Sequence, residues 1–166
     1  MAEQSPETSP TANPAEPPAL DRTPYEIMGG EEGVRRFVDR FYAVMDELPE
    51  AKACRAIHPA DMSNSAQKLF EYLSGWLGGP QLFIQRHGAP MLRARHLHAP
   101  IGEEEIEGWL TCFIHAWADT VKTRELDKVV LPQIGGLARA MHNKPGGEQR
   151  THACGHHGAE CEHHES

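Results

Sequence analysis

The residues best suited to chemistry lie in the run His87-Gly-Ala-Pro-Met-Leu-Arg-Ala-Arg-His96, with Trp109 thirteen residues beyond His96. His96 closes a short basic segment bounded by Gly and Pro. Arg93 and Arg95 flank it, and Met91, Leu92 and Leu97 give it apolar support. Trp109 stands near the start of a long apolar helix. This spacing can present an imidazole to one face of a flat cofactor and an indole N–H to the other. A haem iron held by a single protein histidine, with an open sixth position lined by hydrogen-bond donors, calls for those parts. Neighbouring guanidinium groups suit its carboxylates.

Further polar candidates are scattered through the chain: Tyr42 beside an apolar helical stripe, His58 in a loop before proline, and Ser65 in the first turn of a helix. Each also has a plain structural reading. His96 can be a satisfied core imidazole, Tyr42 a boundary residue with a wet hydroxyl, and Trp109 a core indole bonded to a carbonyl. His58 can be simply exposed and Ser65 a helix cap. The joint spacing of these residues favours a shared site.

Five helices must position them. Apolar residues recur at steps of three and four at Val34, Phe37, Val38, Phe41, Met45 and Leu48, predicting a helix over 31–48. A short turn around 25–28 and the pair Gly29-Gly30 precede it. A helix over 63–77 buries Ala66, Leu69, Phe70, Leu73, Trp76 and Leu77, with Ser63 or Asn64 as N-cap and Gly78-Gly79-Pro80 as its stop. A short helix covers 91–97. The helix over 103–121 aligns Ile106, Trp109, Leu110, Phe113 and Trp117, with three glutamates in its first turn favoured by the dipole. The last, over 124–142, carries Leu126, Val130, Ile134, Leu137 and Met141, and Pro132 predicts a kink or a late start. No strand alternation is present, so the fold class is all-α.

Composition narrows the function classes. A formal charge of −8 in 166 residues argues against a nucleic-acid binder. No run approaches the ~18 apolar residues of a membrane span, and the acidic, Pro-rich N-terminus lacks signal-peptide character. The expected location is the cytoplasm. Cys54 and Cys112 sit in apolar-periodic contexts and read as buried thiols. Residues 1–22 read as a disordered extension, 23–143 as the folded domain, and 144–166 as a flexible tail rich in His and Cys.

The blocks Tyr25-Glu-Ile-Met-Gly-Gly30, Arg36-Phe-Val-Asp-Arg-Phe-Tyr42, His58-Pro-Ala-Asp-Met62, Lys68-Leu-Phe-Glu-Tyr-Leu-Ser-Gly-Trp-Leu-Gly-Gly-Pro80, His87 to His96 and Trp109-Leu-Thr-Cys112 follow one another in order. Together they resemble the group II truncated haemoglobins of the bacterial truncated globin family. The resemblance implies a shortened globin, two helices packed over two, around one haem b. It implies His96 as proximal iron ligand and Tyr42, His58 and Trp109 as the distal hydrogen-bonding set. Ser65 would face the ligand, with Leu69 as apolar lining one turn on. Lys68 and Arg95 would pair with the propionates, and Tyr72, Trp76, Phe83 and Ile101 would complete the wall. The ligands implied are O2, CO and NO.

Three departures from the family pattern stand out. His98-Ala99 replaces the usual Pro-Phe after the proximal histidine, leaving that side looser, with His98 expected to face away. Glu107-Gly108 replaces an Arg-Asp pair, and a glycine there is expected to weaken the start of the helix. Pro132 and Gly135-Gly136 are unusual in the last helix.

Donors aimed at bound oxygen are worth roughly 1.5–3 kcal/mol each when charge-assisted. Two or three of them slow release by about two to four orders of magnitude. Such a site favours oxygen, NO or peroxide chemistry (an NO dioxygenase or peroxidase-like activity) over bulk transport. Turnover would draw on a separate reductase, with the protein a monomer or homodimer. The tail, Thr151-His-Ala-Cys-Gly-His-His157 and Cys161-Glu-His-His164, carries ligands for Zn, Ni or Cu, though not at the spacing of a zinc module. Its two cysteines could also pair under oxidation. The alternative function is a non-haem helical metal-binding or regulatory module acting through that tail.

Overall fold

The computed structural model describes residues 20–145. Both expected tails therefore fall almost wholly outside the described residues. The fold is all-helical. Thr23 caps α1 (Pro24–Ile27): its hydroxyl accepts from the Glu26 amide, and the Glu26 carboxylate accepts from the Thr23 amide. The stretch expected as a turn is thus one helical turn, held to the far end of α4 by Tyr25 N–H donating to the Leu77 carbonyl. Gly29 then takes φ +99°, a conformation open to glycine at little cost, and turns the chain into α2 (Gly30–Glu47).

α2 buries the expected stripe, with Val44 added and Leu48 left just past its end. A 3₁₀ turn, Pro49–Ala51, leads into α3 (Lys52–Ala56). α4 (Ser63–Trp76) follows. Neither Ser63 nor Asn64 caps it; the Asp61 carboxylate accepts from both the Ser63 amide and hydroxyl instead. After the Gly-Gly-Pro stop come α5 (Leu82–His87) and α6 (Leu92–His96), then α7 (Glu103–Thr120) and α8 (Glu125–Arg139).

α2 lies against both α4 and α7, and α7 against α8. The main core is aromatic. Phe37 and Phe41 of α2 meet Phe113, Trp117 and Trp109 along one face of α7, with ring centroids 4.8–5.9 Å apart. Trp117 Nε1 donates to Asp127 Oδ1 at 2.8 Å and ties α7 to α8. α8 runs on through Pro132, whose exposed ring costs a backbone bond. In that turn the Gln133 side-chain amide donates to the Val129 carbonyl.

Gly108 has a different role from the one expected. A Cβ there would lie 3.1 Å from the Glu50 carbonyl oxygen and from Cys54 Cβ. The bare backbone lets α7 close onto α3, and that contact brings Trp109 to the chain leading to His58. Cys54 and Cys112 are both buried free thiols, and burial pushes them up to about 12 and about 11 respectively.

Candidate functional site

α2 through α8 line a cavity of about 560 Å³, within the ~300–1,000 Å³ range of ligand pockets. Its wall includes Tyr42, His58, Ser65, Lys68, Leu69, Tyr72, Phe83, Arg95, His96, Ile101 and Trp109. Eleven of the twelve residues singled out from the sequence therefore meet around one space. Trp76 does not line it. Four residues beyond Tyr72 is ~6 Å farther along the α4 axis. There Trp76 borders a separate pocket of about 170 Å³ with Pro24, Val129 and Gln133.

His96 is placed by α6. Its Nδ1 lies 2.7 Å from the Leu92 carbonyl oxygen. A carbonyl can only accept, so Nδ1 carries the proton and Nε2 of the neutral ring keeps its lone pair. Leu92, one turn back, lines the same cavity. The cations are divided. Arg95 lines the cavity and stacks 5.3 Å from the Phe83 ring, donating to the Pro90 and His87 carbonyls. Arg93 turns outward to the Ala140 and His142 carbonyls.

Across the cavity, His58 Nδ1 lies 2.8 Å from the Cys54 carbonyl, so its Nε2 is likewise an acceptor. Burial lowers its pKa, aided by the nearby Arg55 charge, and outweighs the Cys54 bond that would raise it. Arg55 holds the loop in place by donating to the Pro59 and Ala60 carbonyls while paired with Asp46 at 2.6 Å. The Tyr42 ring stands edge-on to His58 at 6.1 Å. Burial raises the Tyr42 pKa, so its hydroxyl stays a donor. Among the described residues neither that hydroxyl nor Trp109 Nε1 is sealed away, and both residues line the cavity. The set thus offers two donors, Tyr42 and Trp109, and one acceptor, His58.

The sequence reading missed several parts. His98 was expected to face away on helical spacing, but α6 ends at His96, so the register fails and His98 borders the cavity. Asn143, the last residue of the expected domain and not singled out from the sequence, is a clasp. Its Nδ2 donates to the His96 and Ala99 carbonyls, and its Oδ1 accepts from Ile101 N–H. Lys144 follows it onto Glu105 and the Ile101 carbonyl. This clasp ties the chain after α6 to the segment that follows α8. Replacing Asn143 by Ala is expected to cost about 1–3 kcal/mol, with faster amide exchange at Ala99 and Ile101 as the readout.

Glu71 was missed as well. It is buried on α4 and accepts from Gln67, Arg86 and His87. Burial alone would raise its pKa, but those three bonds and the Arg86 charge outweigh it and hold the carboxyl below its ordinary value. The network ties α5 to α4. No signal in the sequence pairs residue 71 with 86 and 87.

Comparison with known proteins agrees with this geometry. Residues 23–143 match the bacterial-like globin family. The chain is 37% identical over 128 residues to group 2 truncated haemoglobin YjbI of Bacillus subtilis, spanning 77% of this chain and 94% of that one. The group II 2-on-2 haemoglobin from Agrobacterium tumefaciens superposes with a TM-score of 0.73 at 46% identity, covering 76% of this chain and 98% of its own. The structure described as a truncated oxygen-avid haemoglobin from Bacillus subtilis gives 0.65 at 36%, covering 74% and 100%. The chain belongs to the bacterial-like globins, as a group II truncated haemoglobin. Haem binding and diatomic gas binding follow from that family, and no helix among the described residues is long and apolar enough to cross a membrane.

Proposed function

We propose that the cavity holds one haem b through His96 Nε2, and that Tyr42, His58 and Trp109 form the polar side on which a diatomic ligand rests. The observation that carries this is the His96 Nδ1 bond to the Leu92 carbonyl, which leaves Nε2 free on a residue lining a largely apolar cavity. Lys68 and Arg95 are the cations for the propionates, with Leu69, Tyr72, Phe83 and Ile101 as wall and Ser65 toward the ligand. When bound, the cofactor supplies a redox-active iron with one position for a gas.

The protein supplies the rest. The Tyr42 hydroxyl and Trp109 N–H donate to a ligand that gathers negative charge, while neutral His58 is an acceptor able to take a proton. Ligand held this firmly suits oxygen, NO or peroxide chemistry in the cytoplasm, with electrons from a separate reductase, better than bulk oxygen transport. The oxygen-avid relative supports that direction. The test is titration of apoprotein with hemin. A Soret band rising to an end point at one equivalent is expected; non-saturating uptake without a Soret band would contradict the reading.

A further inference from the structure

Residues 72–102 contain no aspartate or glutamate, in a chain that has 24 of them. Three arginines and three histidines lie in that stretch, which includes α5 and α6. Three of the four large apolar residues that are exposed among the described residues, Ile84, Met91 and Leu97, also fall there. α6 and its two flanking residues have a cavity side and an outer side. Leu92, Arg95 and His96 line the cavity. Met91, Ala94 and Leu97, three apart, are exposed; Met91 is 66% and Leu97 61% accessible. Arg93 borders this outer stripe. It spends its donors on the Ala140 and His142 carbonyls, and among the described residues it meets no carboxylate.

We propose that the outer face of α6 is the docking surface for an acidic electron-donor protein that reduces the cofactor. The inference rests on the haem reading. An apolar stripe edged by unmatched positive charge suits a partner with a small apolar spot inside an acidic ring. Electron-transfer partners use small, weak interfaces, below about 1,200 Å² in total. A partner seated there stands about one helix diameter, ~10–12 Å, from the His96 side of the cavity. The partner is oxidised by one electron and ferric iron becomes ferrous; no bond or proton moves.

The test uses holoprotein and a reduced acidic [2Fe–2S] ferredoxin as probe, with the reduction rate followed by stopped flow as salt is raised. The net charge of −8 would repel this probe, so whole-molecule electrostatics make the rate rise with salt. Docking on α6 makes it fall, by about tenfold toward 0.1 M, where the Debye length is about 10 Å. Ala94→Glu with Leu97→Glu should slow ferredoxin about tenfold or more and leave dithionite reduction unchanged. Met91→Lys with Leu97→Lys should speed it. A rate that rises with salt, or Glu and Lys variants that match the parent, would overturn the proposal. So would a stable dimer that Leu97→Glu dissolves, or binding to phosphatidylglycerol vesicles in place of ferredoxin. Calorimetric binding of oxidised ferredoxin to the same variants reads the surface without electron transfer, so a failure of the haem reading is seen separately, as a missing Soret band.

Discussion

Replacing Tyr42 by Phe and Trp109 by Leu together is expected to raise the O2 dissociation rate by about two to four orders of magnitude. Each donor to a charged acceptor is worth roughly 1.5–3 kcal/mol, and each 1.4 kcal/mol is tenfold. The single variants should each show about one to two orders, with the pair departing from simple addition because both donors serve one ligand. CO, which gathers less negative charge, should leave the site only a few times faster. Flash photolysis and stopped-flow displacement measure both. Equal acceleration of O2 and CO would assign the change to packing, since Trp109 also stacks on Phe113 at 5.5 Å and Tyr42 meets Phe41 edge-on.

Arg86→Met combined with His87→Leu is expected to lower stability by about 3 kcal/mol. Glu71, 1% exposed, would keep only Gln67 as partner, and stranding a buried charge costs about 3–5 kcal/mol. The low end applies because Arg86 is itself 59% exposed and its attraction is screened. The pH dependence carries the sharper sign. In the parent, the Glu71 carboxyl is held below its ordinary value near 4.5, so its contribution is complete above that pH and lost as pH falls below it. In the variant, burial is opposed only by the Gln67 bond, so the pKa rises. Stability should then rise as pH falls from neutral toward the ordinary carboxylate value, the reverse of the parent. Urea unfolding at several pH values reads this directly. Parallel pH profiles would show that Glu71 is not the charge being stranded.

How much of this was legible from residues alone depends on whether the information is local. The long helices were, because the 3.6-residue stripes at Val34–Met45 and Ile106–Trp117 recur over several turns. The short α3 and α5 were not: with five and six residues they show no period. Trp76 shares a helix face with Tyr72, yet the cavity ends before it, a limit set by α1 and α8 rather than by α4. His98 was misplaced by carrying helical spacing past the point where α6 stops. Asn143 and Glu71 act across 42 to 47 and 15 to 16 residues respectively, and nothing in either's neighbourhood marks the partner. The clustering of His96, Tyr42, His58 and Trp109 was recoverable only because the family blocks occur in order. Gly108 shows the converse: helix propensity reads it as a weakness, whereas the tertiary contact requires it.

The most direct measurement is the visible spectrum of ferric, ferrous and ferrous-CO protein beside a His96→Gly variant. A Soret band with a sharp CO shift is expected in the parent. In the variant, haem affinity should fall by more than about 100-fold, since even outer-shell partners of a ligand cost 10–100-fold, and added imidazole should restore the parent spectrum. A variant that holds haem with the parent's spectrum and affinity, indifferent to imidazole, would contradict His96 as the ligand.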